Sequence, residues 1–106
     1  MEIGEFQRLI EREYLERDKA RGEGGTFMWF VEEVGELATA MRHGTREEQE
    51  AEFADVFAWL VSLASITGVR MEDAIEKYAR GCPYCRGTPC TCSQETRKGE
   101  KHDGRE

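Results

Sequence analysis

Hydrophobic residues recur at helical spacing along most of the chain. The clearest case is residues 27–42, where one helix face carries Phe27, Phe30, Val31, Val34, Leu37, Ala38 and Met41. Weaker versions of the same spacing predict helices over residues 5–20, 46–67 and 71–79. No segment alternates polar and apolar residues as a strand would, and no internal repeat is present. The pattern predicts an all-α fold of four helices.

Turn and capping residues separate these predicted helices. The stretch RGEGGT, residues 21–26, contains three glycines and predicts a connection, with Thr26 as the N-cap of the second helix. Gly44 is the predicted C-cap of the second helix. Thr45 and Glu48 predict a capping box at the start of the third helix, and Gly68 ends that helix. Because the connection at Gly44 is short, the second and third helices should pack antiparallel.

Acidic residues and a tryptophan flank the apolar face of the second helix. At about 100° per residue, Glu33 and Glu36 fall on one flank, with Trp29 between them in angle. Glu32 falls on the opposite flank, about 160° from the centre of the face. The third helix repeats the arrangement on one flank, with Glu52, Asp55 and Trp59.

The predicted hairpin brings these two sets to the same height. Residues at equal distances from Gly44 face each other, which pairs Glu36 with Glu52, Glu33 with Asp55, and Trp29 with Trp59. Four clustered carboxylates beside an apolar face cannot all stay ionised without compensation. Hard divalent cations such as Mg²⁺ or Mn²⁺ prefer carboxylate oxygens. The spacing therefore predicts a divalent metal site, and the alternative is a solvated acidic face.

Composition narrows the possible classes of function. The 106 residues suffice for one small domain, and a charged fraction of 35% indicates solvated helix faces. The formal net charge of -7 argues against nucleic-acid binding, which needs a basic surface. No apolar run approaches the ~18 residues of a membrane span, and the charged N-terminus lacks the apolar region of a signal peptide. We expect a cytoplasmic protein without a membrane partner.

Four cysteines follow the helices with the spacing C-x₂-C-x₄-C-x-C: Cys82, Cys85, Cys90 and Cys92. Four thiolates this close in sequence suit a tetrahedral structural Zn²⁺, and neighbouring glycines and prolines supply turns. A redox-active or free thiol set and a disulfide pair remain alternatives. The polar end of the chain has no hydrophobic residue, which predicts disorder. We therefore divide the chain into a helical domain (1–80), a four-cysteine knuckle (81–92) and a disordered tail (93–106).

The acidic motifs resemble those of a known enzyme family. EEVGE, from Glu32 to Glu36, followed by EFAD, from Glu52 to Asp55, resembles the EExxE…ExxD signature of the MazG-like nucleotide pyrophosphohydrolases, which are all-α NTP pyrophosphatases. The resemblance covers roughly residues 5–80 and includes the RDKARG and MWFVEEVGELA stretches.

This resemblance implies an activity, a cofactor and an assembly. The implied reaction is Mg²⁺-dependent hydrolysis of a nucleoside triphosphate to the monophosphate and pyrophosphate, in nucleotide pool control or house-cleaning, with Mn²⁺ as a substitute ion. The metal ligands carried over from the family are Glu33, Glu36, Glu52 and Asp55. Glu32 has a secondary role, and Glu32 or Glu36 accepts a proton from water. The implied assembly is a homodimer or homotetramer that completes a four-helix bundle.

Aromatic and basic residues near the acidic motifs are candidates for substrate binding. Trp29 and Trp59 are suited to stack on a nucleobase, and the alternative is packing against another subunit. Lys19, Arg21 and Lys77 are candidates for contacts with the triphosphate, and the alternative is a solvated charge at a helix end.

Two other functions are consistent with a small helical protein. The first is a non-catalytic interaction module that uses the four-cysteine knuckle as its contact and leaves the acidic residues solvated. The second is a di-iron carboxylate bundle. That chemistry usually needs Glu-x-x-His pairs, and neither His43 nor His102 completes one, so we discount it.

Overall fold

The computed structural model describes residues 1–93, and its regular elements are all helical. Helix α1 comprises Ile3–His43, α2 Arg46–Ile66 and α3 Met71–Ala74, and a 3₁₀ helix follows at Ile75–Tyr78. No strand occurs within the described range. The predicted all-α class is confirmed, whereas the predicted disordered tail lies outside the described residues except for Ser93.

The chain forms two compact units, one comprising Met1–Asp73 and the other beginning at Ala74. The first unit contains α1 and α2, which pack on each other as a hairpin. The domain boundary placed at residue 80 stays a prediction.

The predicted connection between the first two helices is a bend at one residue. Gly22 has non-helical dihedrals, φ 91° and ψ 167°, and the helix continues on both sides of it. The predicted break between the first two helices is therefore confirmed, but it is limited to Gly22 and does not extend over residues 21–26. The predicted role of Thr26 as an N-cap is wrong, because Thr26 is helical. Thr26 is fully buried within α1, where its Oγ1 accepts a hydrogen bond from Nη1 of Arg21 at 3.3 Å.

Packing of Arg21 accounts for one of the other glycines of this stretch, Gly25, which remains helical. A Cβ atom on Gly25 would lie 2.8 Å from Cγ of Arg21, so the glycine leaves room for that side chain to cross the helix. Arg21 precedes the bend and Thr26 follows it, so their hydrogen bond joins the two halves of α1. A tertiary contact thus overrides the local preference of glycine for a loop.

The turn between α1 and α2 follows the predicted capping signals. The backbone N–H of Glu48 donates to Oγ1 of Thr45 at 3.2 Å, and the N–H of Thr45 donates to Oε1 of Glu48 at 2.9 Å. This capping box is confirmed. Gly44 is the C-cap, but its φ of -87° is accessible to any residue. Glycine is needed there for space, since a Cβ would lie 2.8 Å from the carbonyl oxygen of Ala40.

The predicted fourth helix over residues 71–79 is shorter than expected. Only Met71–Ala74 is α-helical, and the 3₁₀ turn that follows has no buried residue to stabilise a longer α-helix. Buried Gln7 holds the start of this element. Its Oε1 accepts from the N–H of Met71 at 2.8 Å, and its Nε2 donates to the carbonyl of Val69 at 2.9 Å.

The hydrophobic core within the described residues is small. Its buried members are Ile10, Ala40, Val61 and Ala64, and the rings of Phe6 and Phe57 stack nearby at 5.4 Å between centroids. The predicted apolar face of the second helix is largely not buried: exposed residues include Phe27, Val31, Val34, Ala38 and Met41. Helical periodicity correctly groups residues on one face but does not say what covers that face.

No single helix among the described residues is long and apolar enough to cross a membrane. Arg46–Ile66 and Met71–Tyr78 meet the requirement of length and composition only when the two are taken together across a bend.

The bend predicts opposite effects for two neighbouring glycine substitutions. Gly22→Ala should lower the free energy of unfolding by about 1–3 kcal/mol, because an L-residue is strained at φ 91°. Gly24→Ala should raise it by up to about 1 kcal/mol, because Gly24 is helical and no atom lies near its added methyl group. Urea unfolding followed by circular dichroism measures both. Equal effects of the two substitutions would contradict the bend.

Candidate active site

Three carboxylates converge where α1 and α2 pack together. Glu33 and Glu36 lie one turn apart on α1, and Glu52 faces them from α2. One oxygen from each lies within 4.8 Å of the other two. The prediction that Glu36 and Glu52 face each other across the hairpin is therefore confirmed.

Glu33, Glu36 and Glu52 form an acidic cluster. Two of its carboxylate oxygens are buried without a hydrogen-bond donor. Oε1 of Glu33 and Oε1 of Glu52 are buried, and neither accepts a hydrogen bond from any described residue. Burial raises the pKa of Glu33, and the charges of Glu36 and Asp55 raise it further. Burial likewise raises the pKa of Glu52, and the charges of Glu36 and Asp55 raise it further, whereas its pairing with the carboxyl group of Glu33 partly lowers it. These oxygens form a hard donor set that fits a divalent cation such as Mg²⁺.

Asp55 lies beside the acidic cluster but is not one of its three members. Its charge raises the pKa of both Glu33 and Glu52, which places it close to them. Its side chain also lines the neighbouring cavity. Glu32 is exposed, and its charge has the smallest effect on the pKa of Glu33 among the four acidic neighbours. The structure thus gathers three of the five predicted acidic residues, with Asp55 adjacent and Glu32 peripheral.

The two tryptophans meet across the hairpin as their spacing predicted. The rings of Trp29 and Trp59 are stacked, with centroids 5.9 Å apart and planes inclined by 13°. The guanidinium of Arg21 lies over the ring of Trp59 at 5.1 Å from its centroid. A cation over an indole face is attracted by the negative face of the ring. Arg21 therefore joins the bend in α1 to the aromatic pair.

A cavity of about 260 Å³ opens between the first half of α1 and α2. Its polar and aromatic lining includes Tyr14, Arg17, Asp18, Arg21, Asp55 and Trp59. Asp18 is only 3% exposed and accepts a hydrogen bond from Nη1 of Arg21 at 2.9 Å. The cavity combines aromatic faces with both signs of charge, and Asp55 connects it to the acidic cluster.

Three of the polar and aromatic residues named for this cavity are not predicted as site residues from the sequence. Tyr14, Arg17 and Asp18 were not selected because the first helix shows only a rough apolar period. The signal that marks Asp18 is its spacing from Arg21, since residues at i and i+3 share a helix face.

The two predicted phosphate-binding lysines have different surroundings. Lys19 is exposed on α1. Lys77 belongs to the second unit, where its Nζ donates to the hydroxyl of Tyr84 at 3.3 Å and lies over the rings of Tyr78 and Tyr84. Contact of either lysine with a phosphate stays a prediction.

The four cysteines also converge, within the second unit. Their sulfur atoms all lie within 4.8 Å of one another, and none forms a disulfide. Hydrogen bonds from Thr91 and from the backbone of Gly87 lower the pKa of Cys85 to about 5. Burial and the neighbouring sulfur atoms raise the pKa of Cys92 to about 12.

A family model for the MazG nucleotide pyrophosphohydrolase domain matches residues 21–85, more than half of the chain. The chain belongs to this family. The matched MazG region contains all five acidic residues and both tryptophans, and it ends between the two pairs of cysteines. The MazG domain indicates a hydrolase that acts on nucleotide pyrophosphates, and the family is typically metal-dependent. No curated protein matches the chain.

The raised pKa of Glu52 predicts how a glutamine at this position alters stability. In metal-free protein, the folded state opposes ionisation of Glu52, so this residue reduces stability as pH rises above its ordinary pKa of 4.5. Glu52→Gln should therefore raise the melting temperature relative to the original chain, by an amount that grows as pH rises from 4.5 to the raised pKa of the folded state and is constant above it. Thermal unfolding in EDTA measures this difference.

Glu50→Gln is the matched control, because Glu50 is an exposed acid on the same helix. It should show no such growth with pH. A stabilisation by Glu52→Gln that is equal at pH 4 and pH 8 would contradict the electrostatic origin of the effect.

Proposed function

We propose that this MazG domain hydrolyses nucleoside triphosphates, including deoxynucleotides, to the monophosphate and pyrophosphate, with Mg²⁺ at the acidic cluster. The observation that carries the proposal is the pair of buried carboxylate oxygens, on Glu33 and Glu52, that accept no hydrogen bond from the described residues. Buried anionic oxygens are costly unless a cation or donors compensate them. Asp55 supplies a fourth carboxylate at the edge of the cavity.

In the proposed reaction, the metal ion compensates negative charge and a carboxylate side chain accepts a proton. When bound, Mg²⁺ supplies the positive charge that offsets carboxylate and phosphate oxygens, and it makes water more acidic. Glu36 or exposed Glu32 accepts the proton of water as the water oxygen bonds to the α-phosphorus. The bond from the α-phosphorus to the bridging oxygen breaks, and pyrophosphate leaves with the bonding electrons. Mn²⁺ substitutes for Mg²⁺ because it accepts the same oxygen donors.

The cavity beside Asp55 is the site proposed for the nucleoside. Its aromatic walls at Tyr14 and Trp59 offer stacking surfaces for a base. Arg21 is already paired with Asp18 and lies over Trp59, so its main role is to position that indole. Arg17, on the same wall, is the better placed cation for a phosphate of the substrate. Lys19 and Lys77 are secondary candidates for that contact.

A second copy of the chain completes the proposed assembly. The exposed hydrophobic residues of α1 include Phe27, Val31, Val34 and Met41 on the predicted apolar face. The core of one chain is small, so association would add the buried surface that it lacks. The proposed enzyme is a cytoplasmic homodimer or homotetramer that acts in nucleotide pool control or house-cleaning, without nucleic-acid or membrane partners.

Loss of metal-binding carboxylates should abolish the reaction. With Mg²⁺, the original chain should release pyrophosphate from at least one triphosphate in a panel of normal and modified nucleotides, and EDTA should stop the release. Glu36→Gln and Asp55→Asn should each lower kcat/KM by about 100-fold or more, since each removes a carboxylate that would hold the Mg²⁺ that offsets charge at the reacting phosphate. Glu50→Gln should retain activity, because it removes a charge from α2 outside the cluster.

Two results of this assay contradict the proposal. One is the absence of turnover of every triphosphate by folded protein, which would favour the non-catalytic interaction module. The other is full activity of Asp55→Asn and Glu36→Gln.

A charge on the apolar face of α1 should disrupt self-association. Val34→Lys is expected to shift the protein from a dimer or tetramer to a monomer, because a lysine cannot be buried in an apolar interface without a partner. Met28→Lys is the control, since Met28 is 68% exposed and lies off the predicted face of α1. Sedimentation equilibrium measures the mass of each. A monomeric original chain at millimolar concentration would contradict the assembly.

A further inference from the structure

The proposed hydrolysis makes no use of the four cysteines. We propose that Cys82, Cys85, Cys90 and Cys92 bind one Zn²⁺ through four thiolates, and that this ion is the structural core of residues 81–92. The family match ends at residue 85, so it does not include the second pair of cysteines. The proposal therefore rests on the geometry of this segment.

The distances between the sulfur atoms fit a tetrahedral metal site. The sulfur of Cys82 lies 3.8 Å from that of Cys92, and the sulfur of Cys85 lies 3.8 Å from that of Cys90. Four ligands at a Zn–S distance of about 2.3 Å lie about 3.8 Å apart along the edges of a tetrahedron. A disulfide would need about 2.05 Å. The two pairs are thus spaced for a shared ion.

The first two cysteines lie on a turn that is closed by its own backbone. The N–H of Cys82 donates to the carbonyl of Gly87 at 3.1 Å, and the N–H of Arg86 donates to the carbonyl of Cys82 at 2.7 Å. Arg86 has a φ of 63°, an uncommon value for a residue with a side chain. Such a backbone persists only where surrounding interactions hold it. The turn presents Cys82 and Cys85 towards one point.

Backbone N–H groups are directed at three of the four sulfur atoms. Cys85 accepts from Gly87 at 3.4 Å and from Thr91 at 3.2 Å. Cys82 accepts from the N–H of Tyr84 at 3.4 Å, and Cys90 accepts from that of Cys92 at 3.2 Å. Such donors stabilise thiolates more than neutral thiols, because hydrogen bonds to charged groups are stronger. Four thiolates around Zn²⁺ carry a net charge of about -2, which these donors help to offset.

The second unit has no other core among its described residues. None of the side chains from Ala74 to Ser93 is buried. A segment this short rarely folds on hydrophobic burial alone, and disulfides, a metal or association usually stabilise it. Its four cysteines form no disulfide, and a metal held by their sulfur atoms would stabilise the segment.

Tyr84 extends the influence of the cysteine site to the preceding 3₁₀ helix. Its backbone N–H donates to the sulfur of Cys82, while its hydroxyl accepts from Nζ of Lys77. Lys77 belongs to the 3₁₀ turn Ile75–Tyr78. Ordering of the cysteine turn by Zn²⁺ would therefore also order this helix.

Ligand chemistry distinguishes this site from the acidic cluster. Thiolates are soft ligands that select Zn²⁺ over Mg²⁺, whereas carboxylate oxygens suit Mg²⁺. A chain with one cluster of each kind should hold both ions at once. Variants of either cluster then separate the two sites.

The test uses the full chain, purified under reducing conditions and loaded with Zn²⁺. After removal of unbound metal, metal analysis should find one Zn²⁺ per chain. Cys85→Ser and Cys90→Ser should each lose it, whereas Thr88→Ala, an exposed change between the two pairs, should retain it. Replacement of Zn²⁺ by Co²⁺ should give the intense absorption of a tetrahedral four-thiolate site. Zn²⁺ should also protect all four cysteines of the original chain from alkylation.

The Glu52→Gln variant separates this proposal from the proposed hydrolysis. It should keep Zn²⁺ and its cysteine protection even though the acidic cluster is altered. Loss of Zn²⁺ in Glu52→Gln with retention in Cys90→Ser would place the ion at the carboxylates and overturn the proposal. Failure of the loaded original chain to retain Zn²⁺, or formation of disulfides in its place, would overturn it as well. The metal analysis, the Co²⁺ absorption and the alkylation measurement do not depend on nucleotide turnover.

Discussion

The register of the hairpin formed by α1 and α2 determines the candidate active site. The capping box between Thr45 and Glu48 fixes where α2 begins, and the hydrogen bond from Gly44 to Ala40 fixes where α1 ends. A shift of one residue would rotate each carboxylate by about 100° around its helix and separate it from its partner. The acidic cluster and the tryptophan stack both depend on this short turn.

The bend at Gly22 is a second constraint, and it determines how Arg21 is placed in the wall of the cavity. It allows Arg21 to bond Asp18 before the bend and Thr26 after it, while its guanidinium covers Trp59 on α2. One side chain therefore connects both halves of α1 with the aromatic wall. Asp55 lines the cavity and lies beside the acidic cluster, so the metal-binding and nucleoside-binding parts of the proposed enzyme are neighbours.

Features set by local signals were predictable from the sequence, and features set by tertiary contacts were not. The capping box, the end of α2 and the meeting of Trp29 with Trp59 follow from spacing and turn chemistry alone. The burial of Thr26 and the helical state of Gly25 were mispredicted because Arg21 packs across Gly25 and bonds Thr26. The exposure of Val34 was missed because periodicity cannot identify the partner of an apolar face. Convergence of the cysteines was expected, but the backbone donors to their sulfur atoms could not be read from spacing.

The tryptophan stack also makes the protein its own optical probe. The chain contains two tryptophans, and both belong to the stack between α1 and α2. All of its indole fluorescence therefore originates from this stack, where the guanidinium of Arg21 lies over the ring of Trp59 and both residues line the cavity. Indole emission and the indole bands of the near-ultraviolet dichroism therefore report on this location, without a contribution from indoles elsewhere in the chain.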